Sequence, residues 1–391
     1  MNKKSEKHTR NSDEVRALKM EKNRAFGQVI TGLIAQKNLS KEEAYDAFCT
    51  VLNNEVSDMQ QGAFLAALTA KGETADEVAG GWKAIYELDT EKVSLADPDS
   101  VVDNCGTGMD TFKTFNISTA AAIVAAGGGI KVARHGARAI SSVCGTVDMA
   151  EYLGVDVECG VDVVANSIEQ AGLGLFNGMS PRVHPMALGR ILSQIHFGSP
   201  LNIAASLANP ALPKIGVRGV YAKELLLPVT RVMQSIGYTD AIVVYGSIDG
   251  SKKGMDEASV CGTTYCARLE HGEISEFTFE PEDCGLPTHT AHELAADQNI
   301  ADAALNMVTL LDGQVTGART DAVLLNAALI FLARGTAKTL KKGVEQARGV
   351  LAGGKAMETL RRWVAVQNTI PDAGLERLNS LQEEAAACRN C

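Results

Sequence analysis

Three short stretches of this 391-residue chain combine residue types at a spacing that suits chemistry: Gly106-Thr-Gly-Met-Asp110, Arg134-His-Gly-Ala-Arg138 and the adjacent carboxylates Asp256-Glu257. Glycines in the first let a backbone approach an anion closely. The run that follows it, Thr114-Phe-Asn-Ile-Ser-Thr119, supplies hydroxyls, the Asn116 amide and the positive end of a helix. The second stretch continues into Ser141-Ser142 and Cys144-Gly-Thr146. It gathers three cationic or potentially cationic groups and several hydroxyls within thirteen residues, a seat for a polyphosphate. Asp256 and Glu257, placed on a loop, suit Mg²⁺, a hard ion that keeps waters and commonly binds one or two carboxylates together with substrate phosphates. Each stretch has an ordinary reading too: a plain glycine turn, a solvated basic turn around a structural His135, an exposed acidic pair. Their combination is what argues for catalysis.

The elements that must position these groups change character along the chain. Residues 1–24 are polar and without apolar periodicity, as expected of a flexible extension. From 25 to 95 the capping boxes Ser40/Glu43, Ser57/Gln60 and Thr74/Glu77 open amphipathic helices, with Ala63, Phe64, Ala67 and Leu68 on one face of the second and Val78, Trp82 and Ile85 on the third. Residues 96–391 alternate strand, glycine turn and helix. Val101-Val102 leads to a helix over about 117–127, Ile130-Lys-Val132 leads into the Arg134 loop, and Ala241–Tyr245 leads into another glycine-rich turn. This predicts an α/β domain with a mostly parallel sheet, whose ligands sit outside the carboxyl ends of the strands. The segment 181–230 reads as helical, its helices over about 181–215 joining the helical domain, and 321–366 carries further helices.

Composition narrows the function classes. Apolar residues at 46% and charged residues at 21% exclude wholesale disorder. A net charge of -10 opposes non-specific nucleic-acid binding. With neither an apolar run of membrane-spanning length nor a leader-like apolar core at the start, the expectation is a soluble cytoplasmic protein that engages no membrane. Nine scattered cysteines, an odd number, point to reduced thiols. Cys105 and Cys144 lie beside the anion loops, where positive charge can lower a thiol pKa, although plain packing is the commoner use of such residues. The terminal Cys388 and Cys391 have metal-ligand spacing without a second pair to complete four ligands.

In these motifs the chain resembles the anthranilate phosphoribosyltransferase family, whose signatures are Gly-Thr-Gly-Gly-Asp, Thr-Phe-Asn-Ile/Val-Ser-Thr, Lys-His-Gly-Asn-Arg and a later Asp-Glu pair. Lys71–Thr74, Gly145–Asp148, Leu153–Val155, His184-Pro185, Asn209-Pro210, Pro281–Asp283 and Gly285-Leu286 extend the match over about residues 28–366. The resemblance implies a homodimer whose subunits hinge a small helical domain to a larger α/β domain of the nucleoside phosphorylase/phosphoribosyltransferase kind. It implies Mg²⁺, phosphoribosyl pyrophosphate and an aromatic amine acceptor, anthranilate, in tryptophan synthesis. Carried over by position, the donor contacts are Gly106, Met109, Asp110, Thr114, Asn116, Ile117, Ser118, Thr119, Arg134, His135, Gly136, Arg138, Ser141, Ser142 and Thr146. The metal falls to Ser118, Asp256 and Glu257, and the acceptor to Gly106, Ala137 and Arg190. No side chain is singled out as an acid or base.

The sequence departs from the family at Met109 for glycine, Arg134 for lysine and Ala137 for an asparagine that touches anthranilate. In addition, Gly-Pro-Leu-x-Asn-Pro becomes Ala205-Ser-Leu-Ala-Asn-Pro210, and a shorter 184–209 spacing leaves Arg190 as the nearest partner for the acceptor carboxylate. A same-fold transferase with a different acceptor, a phosphorolytic relative and a nucleic-acid-binding relative therefore remain alternatives. Phosphorolysis fits Asp256-Glu257 poorly, and the net charge opposes the last.

Overall fold

The computed structural model describes residues 20–108, 111–139 and 143–389. It divides into two units: Met1–Thr90 with Pro185–Ala208, and Glu91–His184 with Asn209–Cys391.

The first unit is helical. Helix α1 covers 20–34, so residues 20–24 of the expected extension already belong to a helix, and residues 1–19 lie outside the described part. Helices α2 (Lys41–Leu52), α3 (Asp58–Lys71) and α4 (Ala75–Leu88) follow. Ser40 and Thr74 form the expected reciprocal capping boxes with Glu43 and Glu77. Ser57 accepts from the Gln60 N–H, but the Gln60 amide donates to Asn23 O instead of returning to the cap. On α3 the buried face is Phe64, Leu65, Ala67 and Leu68; Ala63 is exposed. The reason is the 100° step per residue, which swings position 63 off the stripe that 61, 64, 65 and 68 occupy. Glu77 is fully buried and holds Lys71 at 2.9 Å and the Leu39 N–H, tying the start of α4 to the end of α3 and the entry to α2. The unit closes with α8 (Leu188–Ile195) and α9 (Pro200–Leu207), and the Trp82 indole donates to Leu207 O.

The second unit is a twisted sheet covered by helices. Its strands are β1 (Val102–Gly106), β2 (Val132–Gly136), β3 (Leu173–Asn177), β4 (Ile215–Gly219), β5 (Asp240–Ser247), β6 (Gly254–Met255), β7 (Thr264–Glu270) and β8 (Glu273–Phe279). Among the described residues they order as β3-β2-β1-β4-β5-β7-β8, with β6 beside β5. The run from β3 to β5 pairs in parallel, and β6, β7 and β8 add antiparallel neighbours. Helices α5 (Ile117–Gly127), α6 (Thr146–Tyr152), α7 (Val161–Ala171), α10 (Leu226–Ser235), α11 (Ile300–Leu311), α12 (Ala318–Ala333), α13 (Leu340–Ala352), α14 (Lys355–Val366) and α15 (Pro371–Arg389) complete it. The core centres on α5 and α12, both apolar almost all round, which marks helices sandwiched within protein. Among the described residues no helix is long and apolar enough to cross a membrane.

Two expectations are corrected. The stretch 181–230 is not helical throughout: Ile215–Gly219 is a strand between β1 and β5, buried at every position. Five residues buried on both faces show no alternation, and two glycines dilute the β-branched signal. Arg134 and His135, read as loop, lie within β2, which begins at Val132 and not at Ile130.

Candidate functional site

The carboxyl ends of β1, β4 and β5 converge on Asp256-Glu257, and three glycines make that possible. A Cβ built on Gly106 would lie 2.1 Å from Asp256 Oδ2, one on Gly219 would lie 1.5 Å from Asp256 O, and one on Gly246 would lie 2.4 Å from Glu257 O. Only hydrogen fits at these strand ends. The Asp256 carboxylate reaches over Gly106 and accepts the Gly108 N–H at 2.8 Å, where Gly108 takes a φ of +66°. Thr107 N–H donates to Gly219 O, closing β1 onto β4. The turn after β1, the end of β4 and the acidic pair thus form one connected corner.

The residues of 111–116 carry the chain from that corner to α5. Thr111 Oγ1 bonds both the N–H and the carbonyl of Gly254, and the Phe112 N–H donates to the same carbonyl. Thr114 bridges to Ala295 in antiparallel fashion, and the Asn116 amide donates to Cys144 O. Helix α5 then presents Ser118 and Thr119 in its first turn, while Ile117 faces the core with no exposure. Anion binding at such a helix start draws on backbone N–H groups and the helix dipole.

Arg134 sits beneath this corner, 2% exposed, with its guanidinium donating to Asn104 O (3.0 Å), Thr119 Oγ1 (2.6 Å) and Ser118 Oγ (3.1 Å). It braces β1 to the first turn of α5. Burial pulls its pKa down, countered by Cys105, Asp103 and Glu257 nearby. A second buried arginine, Arg218 on β4, lies 3.6 Å from Asp103, which also accepts the Tyr238 hydroxyl at 3.2 Å. Burial pushes the Asp103 carboxyl up to about 6, with Arg218 and Tyr238 opposing. His135 is buried at the end of β2 with its Nε2 at 3.1 Å from His184 Nε2, and Gly178 leaves room for its ring. One imidazole of that pair must donate while the other accepts.

Beyond β2, Ala137 is exposed at the start of a turn that Asp148 stitches together. Asp148 accepts the Ala139 and Gly145 N–H groups and Arg138, which also pairs with Glu151 and Glu158. Burial alone would raise the Asp148 pKa; the two N–H groups and Arg138 hold it low. Thr146 packs its methyl toward Gly136. Arg190 belongs to the helical unit, donating to Gln61 Oε1 and Val51 O beside a cavity of about 250 Å³. Met109, Asp110, Ser141, Ser142 and Cys391 lie outside the described residues.

The acidified thiols that such cationic loops could produce are not found. Burial pushes Cys105 up despite Arg218 and Arg134, and pushes Cys144 up to about 12. Desolvation of a thiolate outweighs guanidinium groups already committed to other partners.

Among the described residues no group of three or more His, Cys, Asp and Glu is placed to hold a metal unaided. Ser118, Asp256 and Glu257 nevertheless fit Mg²⁺ in kind. All three offer oxygen, the Ser118 hydroxyl keeps a lone pair while accepting from Arg134, and a hard ion completes its shell with water and phosphate. Gly219 and Gly246 had no signal in the sequence beyond standing at the ends of apolar runs. Arg218 had none, because β4 itself was unread, and Asn104, within β1, reads as an ordinary strand residue until Arg134 and Ser118 are placed beside it.

The sequence pattern of the glycosyl transferase family's α/β domain matches residues 98–357, and that of its helical bundle domain matches 27–88. The anthranilate phosphoribosyltransferase of Anaeromyxobacter dehalogenans (strain 2CP-1 / ATCC BAA-258) is 38% identical over 346 residues, covering 88% of this chain and 99% of that protein. The enzyme of the same name from Persephonella marina is 35% identical over 331 residues, covering 83% and 94%. Among solved structures, the anthranilate phosphoribosyltransferase of Thermus thermophilus superposes with a TM-score of 0.77 at 32% identity, covering 86% of this chain and 98% of that one. The Saccharomyces cerevisiae enzyme in complex with PRPP and Mg shares the fold, with a TM-score of 0.77 at 22% identity and coverage of 89% and 99%.

Proposed function

The chain belongs to the anthranilate phosphoribosyltransferase family, and from that premise we propose that it transfers the phosphoribosyl group of phosphoribosyl pyrophosphate to anthranilate, releasing pyrophosphate. The observation that carries the reading is the Asp256 carboxylate seated over Gly106 and Gly108 beside the start of α5. It brings a carboxylate, hydroxyls and the uncapped start of α5 to one corner, the combination a metal-bound polyphosphate requires.

In the reaction the amine lone pair forms the new C–N bond at ribose C1. The C1–O bond breaks with its electron pair leaving on pyrophosphate, and the amine nitrogen sheds a proton. Gly106, Thr114, Asn116, Ser118 and Thr119 hold the donor through N–H and side-chain contacts, while the Gly108 N–H orients Asp256. Met109, Asp110, Ile117, His135, Gly136, Ser141, Ser142 and Thr146 complete that assignment. Arg134 fixes Ser118 and Thr119 from below, and its charge, with that of Arg138 on the neighbouring turn, favours the developing anion. Ser118, Asp256 and Glu257 would hold Mg²⁺, which when bound neutralises the departing pyrophosphate. An aromatic amine needs little base, so positioning of the two substrates supplies much of the remaining acceleration. Gly106, Ala137 and Arg190 are assigned to the acceptor side. A homodimeric assembly and a cytoplasmic location belong to the same proposal.

A same-fold transferase with another acceptor is the second reading. Ala137 offers no amide, and Arg190 already serves Gln61 and Val51, so an acceptor lacking a carboxylate would lose less here. Pyrophosphate release with Mg²⁺ is to be followed alongside the loss of anthranilate fluorescence. Equal, anthranilate-dependent yields are expected. Pyrophosphate released without anthranilate loss overturns the acceptor, and no donor consumption with any amine overturns the transferase.

A further inference from the structure

We propose that Arg319 is a positioning residue for the donor loop, acting through the strap 293–297; the inference rests on the transferase reading above. Arg319 is the second residue of α12, and its guanidinium is spent almost wholly on that strap. Nε donates to Glu293 O (3.3 Å), Nη2 to Ala295 O (2.8 Å) and Nη1 to Asp297 Oδ2 (3.0 Å). The Asp297 side chain is 9% exposed and its other oxygen accepts from Asn306 on α11, so the strap is anchored to two helices at once. The planar fork matters: it meets two carbonyls and a carboxylate in fixed directions, which an ammonium on a flexible stem does not reproduce.

The strap in turn holds 113–115. The Phe115 N–H donates to Leu294 O, the Ala296 N–H donates to Lys113 O, and Thr114 pairs with Ala295 between them. Arg319 closes the arrangement directly as well, its guanidinium carbon lying 5.0 Å from the centre of the buried Phe115 ring. The Phe115 carbonyl accepts the first N–H of α5 at 2.6 Å, so the position of Phe115 sets where Ser118 and Thr119 stand. Arg319 touches none of the groups assigned to substrate. It fixes residues 113–115 ahead of α5, and through them the donor contacts at the start of that helix.

Removing the guanidinium should weaken donor binding selectively, since the strap contacts nothing assigned to the acceptor. Steady-state kinetics of the full chain with Mg²⁺ tests this in Arg319→Ala, Arg319→Lys and Asp297→Asn, varying each substrate while the other saturates. Arg319→Ala is expected to raise KM for phosphoribosyl pyrophosphate about tenfold, Arg319→Lys and Asp297→Asn about threefold, with kcat and the anthranilate KM within about twofold of the parent. A fall in kcat at unchanged donor KM, or an equal rise in both KM values, overturns the proposal. Should Arg319→Ala fail to fold, an unchanged donor KM in the other two variants overturns it equally. If the parent consumes no anthranilate, the transferase reading is what fails. Calorimetric titration with phosphoribosyl pyrophosphate and Mg²⁺ then still measures the strap, and equal donor affinity in parent and Asp297→Asn rejects it.

Discussion

Gly219→Ala tests whether the corner at the ends of β1, β4 and β5 is the working site. The strand cannot retreat from an added methyl, because Gly219 is in register with Gly106 on one side and Val244 on the other, and its carbonyl accepts the Thr107 N–H. The new Cβ would lie 1.5 Å from the Asp256 carbonyl oxygen, whereas ordinary contact begins at 3.4 Å. The Asp256-Glu257 segment must therefore move by about 2 Å, and a misplacement of about 1 Å in a positioned group can cost about 10²-fold. A loss of about 10² to 10³ in kcat/KM follows, roughly 3 to 4 kcal/mol of transition-state stabilisation. The fold should survive, since overpacking of this kind costs about 1 to 3 kcal/mol.

The assay is kcat/KM at saturating Mg²⁺ with a urea midpoint measured on the same preparation. Gly272→Ala is the control: its φ is +82° with nothing near the added methyl, so it should lose about 1 kcal/mol of stability and no activity. Combining Gly219→Ala with Asp256→Asn should cost no more than the worse single change, because both act on one carboxylate. A folded Gly219→Ala protein within about threefold of the parent, or full additivity with Asp256→Asn, would refute the placement of the site.

Asp256→Asn keeps an acceptor for the Gly108 N–H but removes the charge, so half-saturation by Mg²⁺ should rise about tenfold or more; superimposable Mg²⁺ titrations would exclude the metal assignment. Asp103 holds its proton more tightly folded (about 6) than unfolded (about 3.9), so its contribution to stability is complete below about pH 4 and lost as pH rises to about 6. Asp103→Asn should flatten that loss, about 2 to 3 kcal/mol, and identical pH slopes in urea melts would contradict it. Ala137→Asn adds an amide beside the end of β2, and a two- to tenfold lower anthranilate KM, roughly one hydrogen bond, is expected; an unchanged KM would detach Ala137 from the acceptor. Gly349→Ala, mid-helix in α13 with open space around it, should add about 0.5 to 1 kcal/mol of stability without kinetic effect, and a lower melting temperature would count against the helix as placed.

What could be read from the sequence were features written locally. Ser40, Thr74 and their partners three residues on announce helix starts because the capping bonds are made within one turn. Helix α5 was legible to its last residue, since an alanine-rich run after Asn116 has one helical solution and ends at glycines. β4 was not, because a strand covered on both faces has no alternation to show, and its central Arg218 reads as surface until Asp103 and Tyr238 are placed beside it. The corner was half legible: Gly106, Gly108 and Asp256-Glu257 could be named. That Gly219 and Gly246 exist to let the acidic pair through depends on chain segments tens of residues apart meeting at one edge.

Charge was the property the sequence conveyed least faithfully, and the reason bears on how a chain of net charge -10 can hold a polyanion. Arg134 and Arg138 were both singled out as cations facing phosphate, yet Arg134 bonds Asn104, Ser118 and Thr119, and Arg138 is shared among Asp148, Glu151 and Glu158. Committed this way, arginines shape the turns and add field at short range, but they do not by themselves balance a pyrophosphate. In the proposed site the balance would fall to the N–H groups that open α5, which carry no formal charge, and to a divalent ion recruited by carboxylates that look repulsive to phosphate when counted alone. An acidic pair at the floor of an anion site is therefore no contradiction of the chain's charge. Under the proposed metal assignment a negatively charged protein would make donor binding conditional on the metal, and Asp256→Asn should show that condition as half-saturation at higher Mg²⁺ together with weaker donor affinity.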